Sequence, residues 1–155
     1  MFITQRGLGT ALRHLIDLID GDVQARYEAS GLSYRPRYTP VVKALALLGE
    51  GSIKSIASHA GLTHSAASQT VAQLVKEGLV RQVRGRDGRE RIVCFTPTLT
   101  AMMPRLLELW AATDRAALEL DAELSFPLSV LLCETTEALA ARPFRIRIQN
   151  AEALT

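Results

Sequence analysis

The stretch Thr63-His64-Ser65-Ala66-Ala67-Ser68-Gln69-Thr70-Val71-Ala72-Gln73-Leu74-Val75-Lys76-Glu77-Gly78 spells a helix with a defined start and stop. Thr63 offers a hydroxyl to an orphan amide of the first turn. Gly78 suits the left-handed position just past the end, and Lys76 stands near the negative end of the helix dipole. Ala67, Val71, Leu74 and Val75 recur at helical spacing and are expected to face a core. The N-terminal end carries short donors and acceptors instead: His64, Ser65, Ser68, Gln69 and Thr70. Such an end fits a DNA major groove, although an ordinary surface helix carries similar groups. The flanking sequence separates the two readings.

On the upstream side, Ser52 is placed to cap a short helix, Ile53-Lys54-Ser55-Ile56-Ala57-Ser58-His59-Ala60, which stops at Gly61. A short helix, the tight connection Gly61-Leu62-Thr63 and a second helix make a helix-turn-helix. Ile53, Ile56, Ala57, Leu62, Val71 and Leu74 are expected to form its shared core. Downstream the period changes. Leu79-Val80-Arg81-Gln82-Val83-Arg84 is extended in character, Gly85-Arg86-Asp87-Gly88 turns, and Arg89-Glu90-Arg91-Ile92-Val93-Cys94-Phe95-Thr96 returns. Asp-Gly is a strong hairpin signal. Five arginines load this hairpin against Asp87 and Glu90, so it reads as the basic wing of a winged helix-turn-helix.

Farther out, Leu8, Leu12, Leu15, Ile16, Ile19 and Val23 mark an amphipathic helix over residues 5–29, weakened at Gly21. The tract Ser33-Tyr34-Arg35-Pro36-Arg37-Tyr38-Thr39-Pro40 is a break inside which the next helix starts, running to Leu48 and ending at Gly49-Glu50-Gly51. Residues 98–124 are helical, with Pro104 predicting a kink or a start near it. Ser125-Phe126-Pro127 restarts a last helix that Pro143 ends, and the tail Phe144-Arg145-Ile146-Arg147-Ile148 is left as helix, arm or strand. These outer helices present more apolar surface than a small winged module covers, and self-association is the economical outlet. The fold class is therefore mainly α with a small β-hairpin wing, flanked by N- and C-terminal dimerisation helices.

Composition supports a globular chain: 155 residues, 48% apolar, 22% charged and only 5% aromatic. The net charge of +2 is uneven. Residues 31–96 hold ten basic and four acidic groups, whereas residues 97–155 hold five basic and eight acidic ones, so the middle is the part suited to a polyanion. Cys94 and Cys133 lie far apart without CxxC spacing, as in a reduced cytoplasmic protein. His14, His59 and His64 are scattered, so no metal site and no cofactor is expected. The chain lacks a basic-then-apolar leader and any run near 18 apolar residues, so no membrane association is expected. Nor does it carry a nucleophile–base–orienter set, a phosphate loop or a carboxylate pair, and it is not expected to be an enzyme.

With these residues in place, the chain resembles the MarR family of bacterial transcription regulators. The likeness rests on Gly61-Leu62-Thr63-His64-Ser65-Ala66-Ala67-Ser68-Gln69-Thr70-Val71, on Leu74-Val75-Lys76-Glu77-Gly78-Leu79-Val80, and on the wing pattern Asp87-Gly88-Arg89 followed by Phe95-Thr96. The helix order extends it from about residue 8 to about residue 141. Pro97-Thr98-Leu99-Thr100 and the opening Tyr34-Arg35-Pro36-Arg37-Tyr38 depart from the family pattern. The resemblance implies one domain over residues 1–155, with a winged lobe at about 33–97 and dimerisation helices at about 5–30 and 98–142. It implies a homodimeric regulator, commonly a repressor, on an inverted-repeat operator in double-stranded DNA. Ser65, Ser68, Gln69 and Thr70 would face bases and phosphates, and Arg89 would enter the minor groove with Asp87 orienting it.

Physical chemistry divides the expected contacts in two. Lys54, Arg84, Arg86 and Arg91, with the amides at helix starts near Thr63 and His64, neutralise phosphates and give steep salt dependence. Gln69 can pair bidentately with adenine, while Ser65, Ser68 and Thr70 make single hydrogen bonds. The family resemblance also implies a small-molecule effector pocket, with His14, Tyr34, Arg35, Tyr38, Met103 and Trp110 as candidate lining. The competing view of Tyr34 and Tyr38 is that they fill core gaps. The competing function is a winged helix used for protein–protein assembly, which the basic wing and polar helix face disfavour.

Overall fold

A computed structural model of the protein describes residues 7–85 and 91–153. Arg86, Asp87 and Arg89 of the expected wing tip lie outside the described residues. The chain divides into two compact units, Met1–Leu109 and Trp110–Thr155.

The first unit opens with α1 (Leu8–Ala29), which runs unbroken through Gly21. A single 3-10 turn (Pro36–Tyr38) leads into α2 (Thr39–Leu48), with Pro40 in its first turn where the missing amide is harmless. Then follow β1 (Glu50–Ser52), α3 (Ile53–Ala60), α4 (His64–Lys76), β2 (Val80–Arg84) and β3 (Arg91–Phe95). Both expected caps are present. The Ser52 hydroxyl accepts from the amide of Ser55 at 3.3 Å and the Thr63 hydroxyl from that of Ala66 at 3.2 Å. Gly61 takes φ +64 in the turn between α3 and α4, a conformation that strains residues with a Cβ.

Helices α2, α3 and α4 pack on one another. Their buried faces hold Val41, Val42, Leu45, Ile56, Val71 and Leu74, all fully covered. Ala57 and Ala67 are buried as well, small residues on two helices in contact. Val75 departs from expectation: it is 40% exposed, because at the last turn of α4 its side points away from the α2–α3 side.

The sheet holds one strand more than the hairpin. Its order is β1-β3-β2, antiparallel throughout, with Gly51 opposite Val93 and Gln82 opposite Val93 on the other side. The expected break at Gly49-Glu50-Gly51 is thus partly a strand, and Gly49 alone, at φ +74, closes α2.

Helix α5 (Pro97–Glu123) matches the helical stretch expected over residues 98–124; Pro104 lies inside it, so of the two outcomes expected at that proline a start near it is not observed. The start is fixed by Thr96, whose hydroxyl accepts from the amide of Leu99 at 3.4 Å. An interior proline costs about 3 kcal/mol. Burial of Leu99, Leu106 and Leu109 on the same helix offsets that, at about 1.5–3 kcal/mol each.

In the second unit, α6 (Leu128–Ala141) and α7 (Phe144–Glu152) follow. The tail is a helix. Pro143 ends α6 and also opens α7, and the Arg147 guanidinium donates to the carbonyls of Ala138 at 2.9 Å and Arg142 at 3.2 Å, where cations suit a helix end. No helix among the described residues is long and apolar enough to cross a membrane.

Candidate nucleic-acid interface

The N-terminal end of α4 is the most open part of the helix-turn-helix. Thr63, His64, Ser65 and Gln69 are exposed, and Ser68 and Thr70 are half-buried. Ala67, Val71 and Leu74 anchor the opposite side of the same helix. A rigid helix seated by its apolar stripe thus holds out a row of short polar groups, with Gln69 one turn beyond Ser65.

Two cations and an imidazole gather beside that end. Lys54 at the start of α3, His64 at the start of α4 and Arg91 at the start of β3 line one hollow of about 200 Å³, together with Ser52 and Ile53. All three were expected among the DNA contacts; that they share one hollow was not legible, because Arg91 comes from the sheet and the other two from consecutive helices. Helix N-termini carry partial positive charge from their free amides, so the hollow suits an anion such as a phosphate.

Arg84 and Arg91 are direct cross-strand partners in the β2–β3 ladder, and both are exposed. Like charges in that position repel. Arg91 is steadied by Gln82, whose side-chain oxygen accepts from Nη1 at 3.4 Å. A polyanion laid along the wing would relieve the repulsion between the two guanidinium groups.

The base of the wing is tied to α4 through Thr96. Its hydroxyl lies 2.7 Å from the Gly78 carbonyl and 2.9 Å from that of Leu79. The same side chain caps α5, so one threonine joins the segment just after α4, the end of β3 and the start of α5. Sequence reasoning placed Thr96 in the wing pattern without this role; its position directly before Pro97 at a helix start was the available signal.

The residues expected to line an effector pocket fall into three groups. Tyr34 and Arg35 line a concavity of about 520 Å³ with Gln24, Glu28, Leu32 and Ser33. Tyr38 is fully buried in an aromatic cluster, its ring edge-to-face with Tyr34 at 5.7 Å, and Tyr34 is edge-to-face with Tyr27 at 5.0 Å. Burial pushes the hydroxyl of Tyr34 well above the ordinary phenol range. His14 is exposed on α1, and Met103 is half-buried on α5. Trp110, buried, begins the second unit. Among the described residues no group of three or more His, Cys, Asp or Glu is arranged to hold a metal ion.

Comparison with known proteins agrees on architecture. The model of the IclR helix-turn-helix domain matches residues 40–84, from α2 through β2, which is fewer than half of the chain's residues. No curated protein matches the chain. Among solved structures, a probable transcriptional regulator from Pseudomonas aeruginosa is 23% identical with a TM-score of 0.58, over 90% of this chain and 98% of that one. A MarR family regulator from Neisseria meningitidis is 21% identical with a TM-score of 0.58, over 97% and 99%. The PcaV transcriptional regulator from Streptomyces coelicolor, solved with its natural ligand, is 21% identical with a TM-score of 0.58, over 88% and 93%. At these identities the likeness is one of fold: this chain has the winged-helix architecture of transcriptional regulators.

Proposed function

We propose that the protein is a MarR-type transcriptional regulator that binds double-stranded DNA as a homodimer. The observation that carries this reading is the hollow where Lys54, His64 and Arg91 meet beside the exposed polar end of α4. It offers a phosphate site next to groups able to read base edges, which is the division of labour that specific DNA binding requires. The repulsive Arg84–Arg91 pair supports it, since a wing built only for stability would not oppose two arginines.

In this reading Lys54, Arg84 and Arg91 hold the backbone, with Arg86 at the wing tip. Ser65, Ser68, Gln69 and Thr70 face the major groove, and Arg89, oriented by Asp87, enters the minor groove, where narrow A·T-rich segments concentrate negative potential. Two copies of α4 meet an inverted repeat, and the bound dimer acts as a repressor. A small-molecule effector modulates it, supported by the concavity beside Tyr34 and Arg35 and by the bound ligand of PcaV.

Selection from a randomised duplex pool tests the reading. Enrichment of an inverted repeat with half-site centres about 10 bp apart is the expected result. Binding without enrichment would mean sequence-independent use of the wing, and no binding even at low salt would favour the assembly reading.

A further inference from the structure

The carboxylate of Glu77 stands where a helix least favours one. It belongs to the C-cap residue of α4, beside the free carbonyls that form the negative end of the dipole. The dipole calls for a cation near there, and the left-handed glycine of the helix end is already supplied by Gly78 at φ +72. Three side chains hold the acid in place. Tyr38 donates its hydroxyl to Oε1 at 2.7 Å, Gln73 donates from Nε2 at 2.9 Å, and the Arg35 guanidinium lies 3.7 Å away. Burial opposes the charge, yet the bonds from Gln73 and Tyr38 and the nearby arginines hold the carboxyl below its usual range.

Tyr38 is itself immobilised. Its ring is fully buried against Tyr34, which packs on Tyr27 of α1, and the Arg37 guanidinium lies 5.5 Å from its centroid. A continuous run of contacts within the first unit therefore joins the end of α1, the 32–38 segment and the last turn of the recognition helix. Thr96 ties the neighbouring carbonyls of Gly78 and Leu79. The C-terminal end of α4 is consequently clamped, while its N-terminal end is open.

We propose that Glu77, gripped by Tyr38, is a positioning residue that fixes the tilt of α4, and that through this grip the 32–38 segment sets how sharply the protein discriminates DNA sequences. The proposal rests on the DNA-binding reading above. A 13-residue helix is about 20 Å long, so a tilt of about 3° at the clamped end moves the open end by about 1 Å. Bidentate base contacts do not survive such a shift, because hydrogen bonds weaken steeply with distance and angle. Contacts of flexible cationic side chains with phosphates do survive it. The grip thus governs sequence discrimination and leaves bulk affinity alone.

The test uses the full chain, the operator selected from the randomised pool and a random-sequence duplex. Affinity for both is measured at two salt concentrations, with Tm recorded for every variant. Tyr38→Phe and Glu77→Ala are each expected to lower the operator-to-random affinity ratio about tenfold, with random-duplex affinity and salt slope unchanged. The double variant should be no worse than Glu77→Ala, because the bond that Tyr38→Phe deletes is already gone once the carboxylate is removed. Glu77→Gln, whose amide oxygen still accepts from Tyr38, should stay within about threefold of wild type. An unchanged ratio in the single variants overturns the proposal. So do losses that multiply in the double variant, or operator and random affinities that fall together with Tm. If Glu77→Ala does not fold, Tyr38→Phe, which deletes a single oxygen, decides alone. A wild-type protein that binds both duplexes equally overturns the sequence-specific reading, and one that binds neither overturns the DNA-binding reading; the proposal falls with either.

Discussion

At Gly51 a single methyl group would decide how well β1 sits on the sheet. A Cβ there would lie 2.7 Å from the Ser55 Oγ and 3.2 Å from the Leu48 Cδ1. The serine is not free to swing without loss, since its hydroxyl donates to the Ser52 carbonyl at 2.9 Å. Gly51→Ala should therefore lower stability by about 1–3 kcal/mol, read from the urea midpoint. A wild-type midpoint would show that Ser55 turns aside at no cost. On the reading face, Gln69→Ala should relax the preferred base at one position per half-site, at about 1–3 kcal/mol of discrimination. Selection that returns the wild-type sequence would remove Gln69 from base reading. Arg91→Ala, in contrast, should weaken all sequences alike and reduce the slope of log affinity against log salt by about 1. The residues legible in advance were those whose signal is local: the caps Ser52 and Thr63, the left-handed Gly61 and Gly78, the exposed polar groups from His64 to Gln69. The Tyr38–Glu77 bond was not legible, because its partners are 39 residues apart and each has a sufficient local reading.

Among the elements, the turn between α5 and α6 depends on one carboxylate. Asp121, near the end of α5, accepts from the amide of Ser129 at 3.2 Å and from its hydroxyl, and so caps the first turn of α6. The hydroxyl bond, with those from the amides of Ser129 and Leu128, holds Asp121 below its ordinary value of 3.8. A group depressed in the folded state stabilises fully above its unfolded value. That contribution disappears as pH falls from 3.8 through the lower folded value. Asp121→Ala should thus lower Tm at neutral pH, and the gap from wild type should close as pH drops below 3.8. A gap that persists unchanged in acid would assign the effect to packing instead. Helices with strong periodicity were legible, as α1, α3 and α4 show. β1 was not: three residues including a glycine give no alternation, and only the β3 partner makes them a strand. The extent of α5 was legible, residues 98–124 against the observed Pro97–Glu123, whereas the hydroxyl that sets its start was not, because it belongs to Thr96, outside the periodic stretch.

For the whole molecule, the open question is what covers the apolar groups left outside. On α1, Leu12 is 42% exposed, Ile16 56% and Ile19 42%. On α6, in the other unit, Val130, Leu131 and Leu132 are each between 44% and 48% exposed, and the helix has no buried residue. A helix that buries nothing has no tertiary reason to stay helical in water, since most helical stability in proteins comes from a packed face. Under the proposed function the cover is a second copy, the partner that every molecule in solution can find, and two-fold pairing would present two copies of α4 to an inverted repeat. Ile16→Asp and Leu131→Asp each place a charge among the exposed apolar groups of one helix, outside α2, α3 and α4. Sedimentation equilibrium should find the wild type dimeric at micromolar concentration and both variants shifted towards monomer. Their affinity for the selected operator should fall about a hundredfold or more, because a lone winged lobe loses the effective concentration that the second supplies, whereas binding to a single half-site duplex should hardly change. Monomeric variants that keep full operator affinity would show that one copy suffices to read the site. Dimeric variants would show that these helices pair through another face.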